Sequence, residues 1–426
     1  MFVKRIGAPA DCIATVIRAL VLLFITGTVL QAEEIRYPVA CYDTGELEKV
    51  RQWENVWSGK KINGETIDNV RDFVPDSLYG IIKDRDKWGD IWFEIVAYRQ
   101  ILPSPGDIEF TLKGVCKLGP GGELLNHVSG VPFPNPKTGI EIAYNFDNVN
   151  QGDNMHSLQD LVMIDGKQKY DRKMVMDSHM LFYSGRREVP PVPAINPNPK
   201  RIFRATHSAY SEPASMRGTR NINIKWMDRT RPYESVTFSS NTRKTVRRST
   251  AERTGSQGGA DMCSDDNMIY DNAITNMDYK YLGRKELLLS RHQDAKKLQE
   301  GHREGYCLFN GFQRERINTY MVECIHKDPG YVYSRQVWYV DPETCWIVYA
   351  EKFDRQGNLF RTFENAQHVA TSVYNGSHIA SVSFITIIDV KHFHSTGGFS
   401  NITYGERNKF FNLEYFTINA LQKYGY

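Results

Sequence analysis

The sequence predicts a mainly antiparallel β fold with helices, an α+β chain, and three observations predict it. Residues 317–363 hold four apolar and aromatic runs separated by short turns at Asp328-Pro-Gly, Asp341-Pro-Glu-Thr and Asp354-Arg-Gln-Gly-Asn. From about residue 92 onward, short runs rich in Val, Ile, Tyr, Phe and Trp alternate with Gly, Pro, Asn and Asp. Before that point Leu47, Val50, Trp53 and Trp57 recur at intervals of three and four, which is helical spacing.

In chain order, the first segment reads as an export signal. Lys4 and Arg5 open it, residues 19–30 (ALVLLFITGTVL) are largely apolar, and Leu30-Gln31-Ala32 precedes Glu33 and Glu34. The apolar run is shorter than the roughly 20 residues that span a bilayer. Cleavage is expected near Ala32, leaving a periplasmic chain. An uncleaved anchor is the alternative that Arg18, at the edge of the run, keeps open. No lipoprotein signal is expected, because Cys12 precedes the run and Cys41 follows the charged residues Glu33, Glu34 and Arg36. A partly helical region is then expected over 33–100, with a short helix at 76–82 behind Pro75. The remainder, 101–426, is expected to form the sheet domain with loop insertions.

Within that remainder, residues 92–98 (WFEIVAY), 107–114 (DIEFTLKG) and 221–227 (NINIKWM) read as strands. In 331–340, Val332, Ser334, Gln336, Trp338 and Val340 share one face, while Tyr331, Tyr333, Arg335, Val337 and Tyr339 share the other. Both faces carry large apolar groups. Such a sheet covers a core on one side and either a helix or a greasy ligand on the other. Two loops stand out: the proline-dense 190–199, and 250–266, which is Gly-rich and a candidate lid. Residues 410–421 have a mixed pattern that fits a closing helix or a strand.

Composition narrows the function classes. A net charge of +3 over 426 residues gives no argument for a nucleic-acid partner. Of seven cysteines, six follow the signal: Cys41, Cys116, Cys263, Cys307, Cys324 and Cys345. An even number permits disulfides in an exported chain, and buried free thiols are the equal alternative. No CxxC spacing is present. His392 and His394 would share a strand face, but no third ligand is evident nearby, so strand-end histidines are the expected reading and no metal is assigned. Asp265 and Asp266 are adjacent, point apart on an extended chain, and suit a cap or turn. No GxSxG, HExxH, P-loop or dinucleotide fingerprint occurs, and Cys307 has no evident His partner. No catalytic residue, cofactor or enzymatic activity is therefore expected. Arg243, Lys244, Arg247, Arg248 and Arg253 form a basic cluster that fits a solvated strand edge or a dock for anionic groups.

The segment 130–139 (GVPFPNPKTG) has three prolines in five positions, which fixes a loop carrying Phe133 ahead of a helix or strand at 140–146. With Ile140, Glu141, Tyr144 and Asn145, it resembles the signature of the domain of unknown function thirteen-twenty-nine. Five further blocks agree in order: Thr245-Val-Arg-Arg with Asp265-Asp266, 279–286 (YKYLGRKE), 333–342 (YSRQVWYVDP), 353–361 (FDRQGNLFR) and 389–396, ending His394-Ser-Thr. Asn135 stands where that family more often has an apolar residue. The resemblance implies an exported protein of Gram-negative bacteria, akin to the LolA and LolB lipoprotein carriers of outer-membrane lipoprotein sorting. It implies a strongly curved, unclosed β-barrel with helices covering the open side, acyl chains held between them, and a place beside an envelope export system. The expected function is accordingly a periplasmic carrier of lipid or another hydrophobic ligand, acting as a monomer. A non-enzymatic adaptor of an envelope transport complex is the alternative. Phe133, Trp338, Tyr339 and Trp346 are the residues expected near the ligand or the cavity mouth.

Overall fold

The computed structural model describes residues 37–166, 169–248, 254–256, 258–294, 298 and 310–424. The expected signal, Arg253 and Cys307 lie outside them. The chain from Tyr37 onward forms one compact unit, in which residues 37–100 of the expected partly helical region lie with the sheet.

Helix α1 (Thr44–Trp57) begins where Asp43 accepts from the Glu46 amide and the Glu46 carboxylate accepts from the Asp43 amide, a reciprocal cap. A 3-10 segment (Ile67–Phe73) and α2 (Asp76–Lys83), behind Pro75, complete the helical stretch, with one further turn in α3 (Arg85–Trp88). Strands β1 (Lys61–Asn63) and β2 (Trp92–Ile95) pair antiparallel between these helices. The strand expected over 107–114 is instead helix α4 (Pro105–Lys113). Ser104 Oγ accepts from the Asp107 amide at 3.2 Å and Pro105 occupies the first turn. That start signal outweighs the alternating pattern of Ile108, Phe110 and Leu112. The 130–139 loop leads into helix α5 (Gly139–Asp147), capped reciprocally by Thr138 and Glu141, which decides between the helix and the strand left open there. Residues 117–118 and 124–125 form a two-stranded ribbon, β3 (Lys117–Leu118) and β4 (Leu124–Leu125).

Fifteen strands form one unclosed sheet, made of two antiparallel meanders. The first runs β5 (Asn154–Ile164), β6 (Tyr170–Phe182), β7 (Ile202–Glu212), β8 (Arg220–Trp226), β9 (Glu234–Ser239), β10 (Lys244–Arg247). The second runs β11 (Met277–Ser290), β12 (Phe312–His326), β13 (Arg335–Val340), β14 (Ile347–Phe353), β15 (Leu359–Thr371), β16 (His378–Asp389), β17 (His394–Tyr404). The four expected runs of 317–363 are β12 to β15, although β13 starts only at Arg335, with Tyr331 and Tyr333 in the preceding turn. Strand β2 pairs parallel with the start of β12, taking the edge that the shorter β13 leaves.

The meanders join where β17 lies antiparallel to β5, from Ser395↔Ile164 to Tyr404↔Met155. Gly398 sits at this seam. A Cβ there would stand 2.4 Å from Leu161 Cδ2 and 2.6 Å from the Asp160 carbonyl oxygen, so only glycine allows the approach.

Both faces of the second meander are buried by the chain itself. Val337, Tyr339 and Tyr349 belong to a core shared with Val50 of α1, Leu78 and Ile82 of α2, and Phe93. Trp338, Val340, Ile347 and Phe363 belong to a second core, shared with Ile142 and Phe146 of α5 and with Met262, Ile269 and Tyr270. On the first meander, one face carries Leu181, Ala205, Ile222, Ile224 and Phe238 under Tyr415, Phe416 and Leu421. The closing stretch 410–421 is thus a turn-rich cover that ends in a short helix, α6 (Ile418–Lys423). The five described cysteines, Cys41, Cys116, Cys263, Cys324 and Cys345, are free thiols.

Replacing Gly398 by valine should force the seam apart. The expected cost is about 1–3 kcal/mol of unfolding free energy by chemical denaturation, while the same change at Gly80 of α2, where an added Cβ meets nothing within 4 Å and the backbone is ordinary helix, is expected to cost little. Equal losses at the two positions would show that the seam is not the tight point.

Candidate functional site

Among the described residues no α-helix lines the inner face of the first meander. Alternate residues of adjacent strands point into a cavity there: Met174, Met176, Ser178 and Met180 of β6, Arg204, Thr206, Ser208 and Tyr210 of β7, Asn221, Asn223 and Lys225 of β8, and Ser235 and Thr237 of β9. Met155 and Leu161 of β5, Val382 and Ile385 of β16, and Ile402 of β17 close the far wall. Side chains from strands on both sides of the β5–β17 seam meet in one space, so the sheet curls around it. The cavity measures about 150 Å³ and is continuous with the inner core through Leu161, Met174, Met262 and Val382.

Seven of the chain's twelve methionines line it: Met155, Met174, Met176, Met180, Met216, Met262 and Met268. Unbranched thioether side chains change rotamer at low cost and make a wall that adapts to the shape of what it holds.

The segment 260–271 covers one side and contributes Met262, Ser264, Asn267, Met268 and Asp271 to the lining. Its first residues, 260–266, belong to the glycine-rich stretch 250–266 read as a candidate lid, of which 254–256 and 258–266 are described. Three aspartates pin it. Asp261 Oδ2 accepts from Thr396 Oγ1 at 2.7 Å and lies 2.7 Å from His394 Nδ1 on β17. Asp266 Oδ1 accepts from Lys352 Nζ of β14 at 2.5 Å, and its other oxygen accepts from Tyr333 at 2.7 Å and from the Cys263 amide at 2.9 Å. Asp265 accepts from the Asn272 amide group at 2.8 Å and from the Tyr331 hydroxyl at 3.3 Å. The expected cap or turn role of these acids therefore includes anchoring the segment. Burial alone would raise the Asp266 carboxyl. Lys352, the Cys263 amide and the Tyr333 hydroxyl together hold it below the ordinary carboxylate range.

One end of the cavity is charged. Arg204 pairs with Asp271 at 2.6 Å, and Lys225 bridges Asp271 at 3.1 Å and Asp147 of α5 at 2.5 Å. Arg229 adds a second cation to Asp147 at 3.1 Å. Burial would raise the Asp147 carboxyl, but Arg229 and Lys225 keep it lowered. Arg248, the member of the expected basic cluster nearest this space, also lines it, while Arg247 pairs with Glu234 outside.

The four residues expected at a ligand are not brought together here. Trp338 is wholly buried against Phe146, Tyr270 and Tyr279, with ring centroids 5.3–6.0 Å apart. Trp346 is equally buried and donates from Nε1 to the Ala380 carbonyl at 3.2 Å. It borders a separate void of about 30 Å³ beside Tyr37 and Ile101. Tyr339 lies in the other core and donates to Glu351 at 3.0 Å. Phe133 is half-buried, its backbone fixed at both ends by the Asn145 side chain. None of the four lines the methionine-walled cavity. His392 and His394 face different carboxylates, Asp389 and Asp261. The methionines do leave one trace in the sequence: Met174, Met176 and Met180 fall at even spacing along β6.

The family described as protein of unknown function (DUF1329) matches residues 61–422, and the chain belongs to that family. No curated protein matches the chain. Among solved structures, the chain is similar to a putative outer membrane lipoprotein-sorting protein domain from Vibrio parahaemolyticus. That match has 15% identity and a TM-score of 0.47, covering 67% of this chain and 98% of that one. A DUF1329 family protein from Desulfovibrio piger matches at 15% identity and TM-score 0.46, covering 66% and 96%. A LolA superfamily protein from Nitrosomonas europaea matches at 12% identity and TM-score 0.39, covering 66% and 100%. Likeness at this level assigns neither ligand nor partner. Among the described residues no helix is long and apolar enough to cross a membrane.

Removing the anchor of the covering segment should be costly. Lys352→Met leaves Asp266 buried without its cation, and a loss of about 3–5 kcal/mol in denaturant titration is expected. The depressed Asp266 carboxyl also sets a sign. Its stabilising contribution is complete above the unfolded value, about 3.9, and is lost as pH falls through the lower folded value. Asp266→Asn should therefore flatten the dependence of unfolding free energy on pH below about 4. An unchanged slope would remove Asp266 from this account.

Proposed function

We propose that this DUF1329 protein binds a lipid or another hydrophobic ligand in the methionine-lined cavity and carries it in the periplasm, beside an envelope export system. The observation that supports this is the inner face of β5–β9. There, among the described residues, seven methionines from the strands and their covering segments border open space. The charged end, with Arg204, Lys225 and Asp271, gives a polar group somewhere to sit while the tail lies among the methionines.

Magnitudes set a condition on this reading. Each buried methylene contributes about 0.8 kcal/mol, so ten contribute about 8 kcal/mol, which corresponds to roughly micromolar binding before the cost of association. A space of about 150 Å³ admits something the size of benzene. An acyl chain therefore enters only as Met176, Met180 and Met216 swing aside.

The adaptor reading draws on a different observation. In the second meander both greasy faces are filled by the chain's own side chains, so Trp338 and Tyr339 need no ligand to be buried. A protein whose methionine cavity also stays closed would be a scaffold.

Native mass spectrometry of protein purified from its own periplasm, with titration of a fluorescent fatty acid, separates the two. The carrier reading expects a co-purifying lipid and saturable probe binding that Thr206→Trp, filling the cavity, weakens at least tenfold without shifting the melting temperature. No lipid and no probe binding would leave the adaptor.

A further inference from the structure

On the face of the first meander away from the cavity, three histidines lie in one row across neighbouring strands. His156 of β5 is directly opposite His179 of β6, and His179 is opposite His207 of β7. The outer member is engaged: His207 Nδ1 lies 2.8 Å from the Tyr415 carbonyl and its Nε2 accepts from Arg220. The middle member is different. His179 is 2% exposed and walled by the rings of Phe410, Phe411 and Tyr415, yet neither of its ring nitrogens makes a hydrogen bond. A buried imidazole with two unused nitrogens is costly unless something meets them.

Asp177, two residues earlier on β6, supplies the missing geometry. Its Oδ1 lies 3.0 Å from His156 Nε2 and 3.5 Å from His179 Nδ1. The three ligand atoms all lie within 4.8 Å of one another. Ligand-to-ligand edges of a tetrahedron built on bonds of about 2.1 Å are roughly 3.4 Å, so these separations fit a common ion. The far nitrogen of His156, Nδ1, lies 3.2 Å from Glu406 Oε2. A carboxylate on the second nitrogen of a ligating histidine fixes its tautomer and orientation.

We propose that His156 Nε2, His179 Nδ1 and Asp177 Oδ1 form a site for a divalent transition-metal ion of zinc type, with Glu406 holding His156 in place. Two imidazoles and one carboxylate are a zinc donor set. Asp177 is half-exposed and His156 partly so, which gives the ion an entry path and leaves the fourth position to water. The rings of His156 and His179 are stacked, 4.4 Å apart and 10° from parallel, so closing on an ion requires both to turn about their Cβ–Cγ bonds. Glu406 begins the segment whose Phe410, Phe411 and Tyr415 cover this face, so an ion here ties that cover to the sheet.

The test is zinc titration of the chelator-treated full chain by calorimetry, with cobalt absorption as a second readout of tetrahedral N/O coordination. One zinc per chain is expected. His156→Ala and Asp177→Asn, both at partly exposed positions, should each weaken binding at least a hundredfold, and Glu406→Gln about 10–100-fold. His392→Ala, at an exposed histidine outside the site, should leave binding unchanged. Circular dichroism melts of the metal-free variants confirm folding. Absence of stoichiometric zinc in the wild type would overturn the site, as would undiminished zinc and cobalt signals in folded His156→Ala.

Discussion

The architecture depends on the antiparallel pairing of β17 with β5. The two meanders are local structures, each strand hydrogen-bonded to its neighbour through a short connection or loop. This seam alone makes them one sheet, and it closes a loop of well over two hundred residues. Its cost in loop-closure entropy grows only slowly with length, so a long ladder of pairs can meet it. The glycine at position 398 admits the close approach. Once joined, β16 and β17 supply one wall of a cavity whose other walls come from β5–β9, and the cavity has no meaning without the join.

Burial of charge is the second organising fact. Lys352 and Asp266 are both fully buried, as are Arg291, Asp341 and Arg314 with Glu364. Arg291 also meets Glu343, which accepts from the Cys41 and Ile101 amides and from the Tyr98 hydroxyl. Such clusters add little net stability compared with apolar packing, but each has one satisfying arrangement. The Glu343 cluster locates the N-terminal strands and helices against the β13–β14 turn, and the Asp266 pair locates the covering segment. Irregular chain without strand partners is positioned by ionic contacts where apolar packing would leave it free to slide.

Much of this was legible in the residues. The turns at Asp328, Asp341 and Asp354 and the runs between them predict β12–β15. The two-sided pattern about Trp338 and Tyr339 predicts that both faces are covered. The helix at 105–113 was not legible as one, because Ile108, Phe110 and Leu112 imitate a strand and Ser104-Pro105 was the stronger signal. The site was hidden for a related reason. Arg204, Thr206 and Ser208, or Asn221 and Asn223, read along one strand as a solvent face. Only the curl of the sheet turns that face inward, and the curl is a property of seven strands together. Phe133, Trp338, Tyr339 and Trp346 were conspicuous because they are large and aromatic. Large aromatics fill cores, and the space left open is lined by narrower side chains. The row His156, His179 and His207 is invisible along the chain, since each lies on a different strand and only register aligns them.

The methionine wall carries a chemical liability that leucines would not. Thioethers are oxidised to sulfoxides, which are polar, chiral and bulkier, whereas aliphatic walls are inert to the same oxidants. Seven such sulfurs around one space mean that oxidation need not be extensive to convert it from greasy to wet. Met176 and Met216, partly open to solvent, would be reached before the buried Met155 and Met180. The apolar character of this space is thereby coupled to the oxidants of its surroundings, and methionine sulfoxide reductases become agents that restore it.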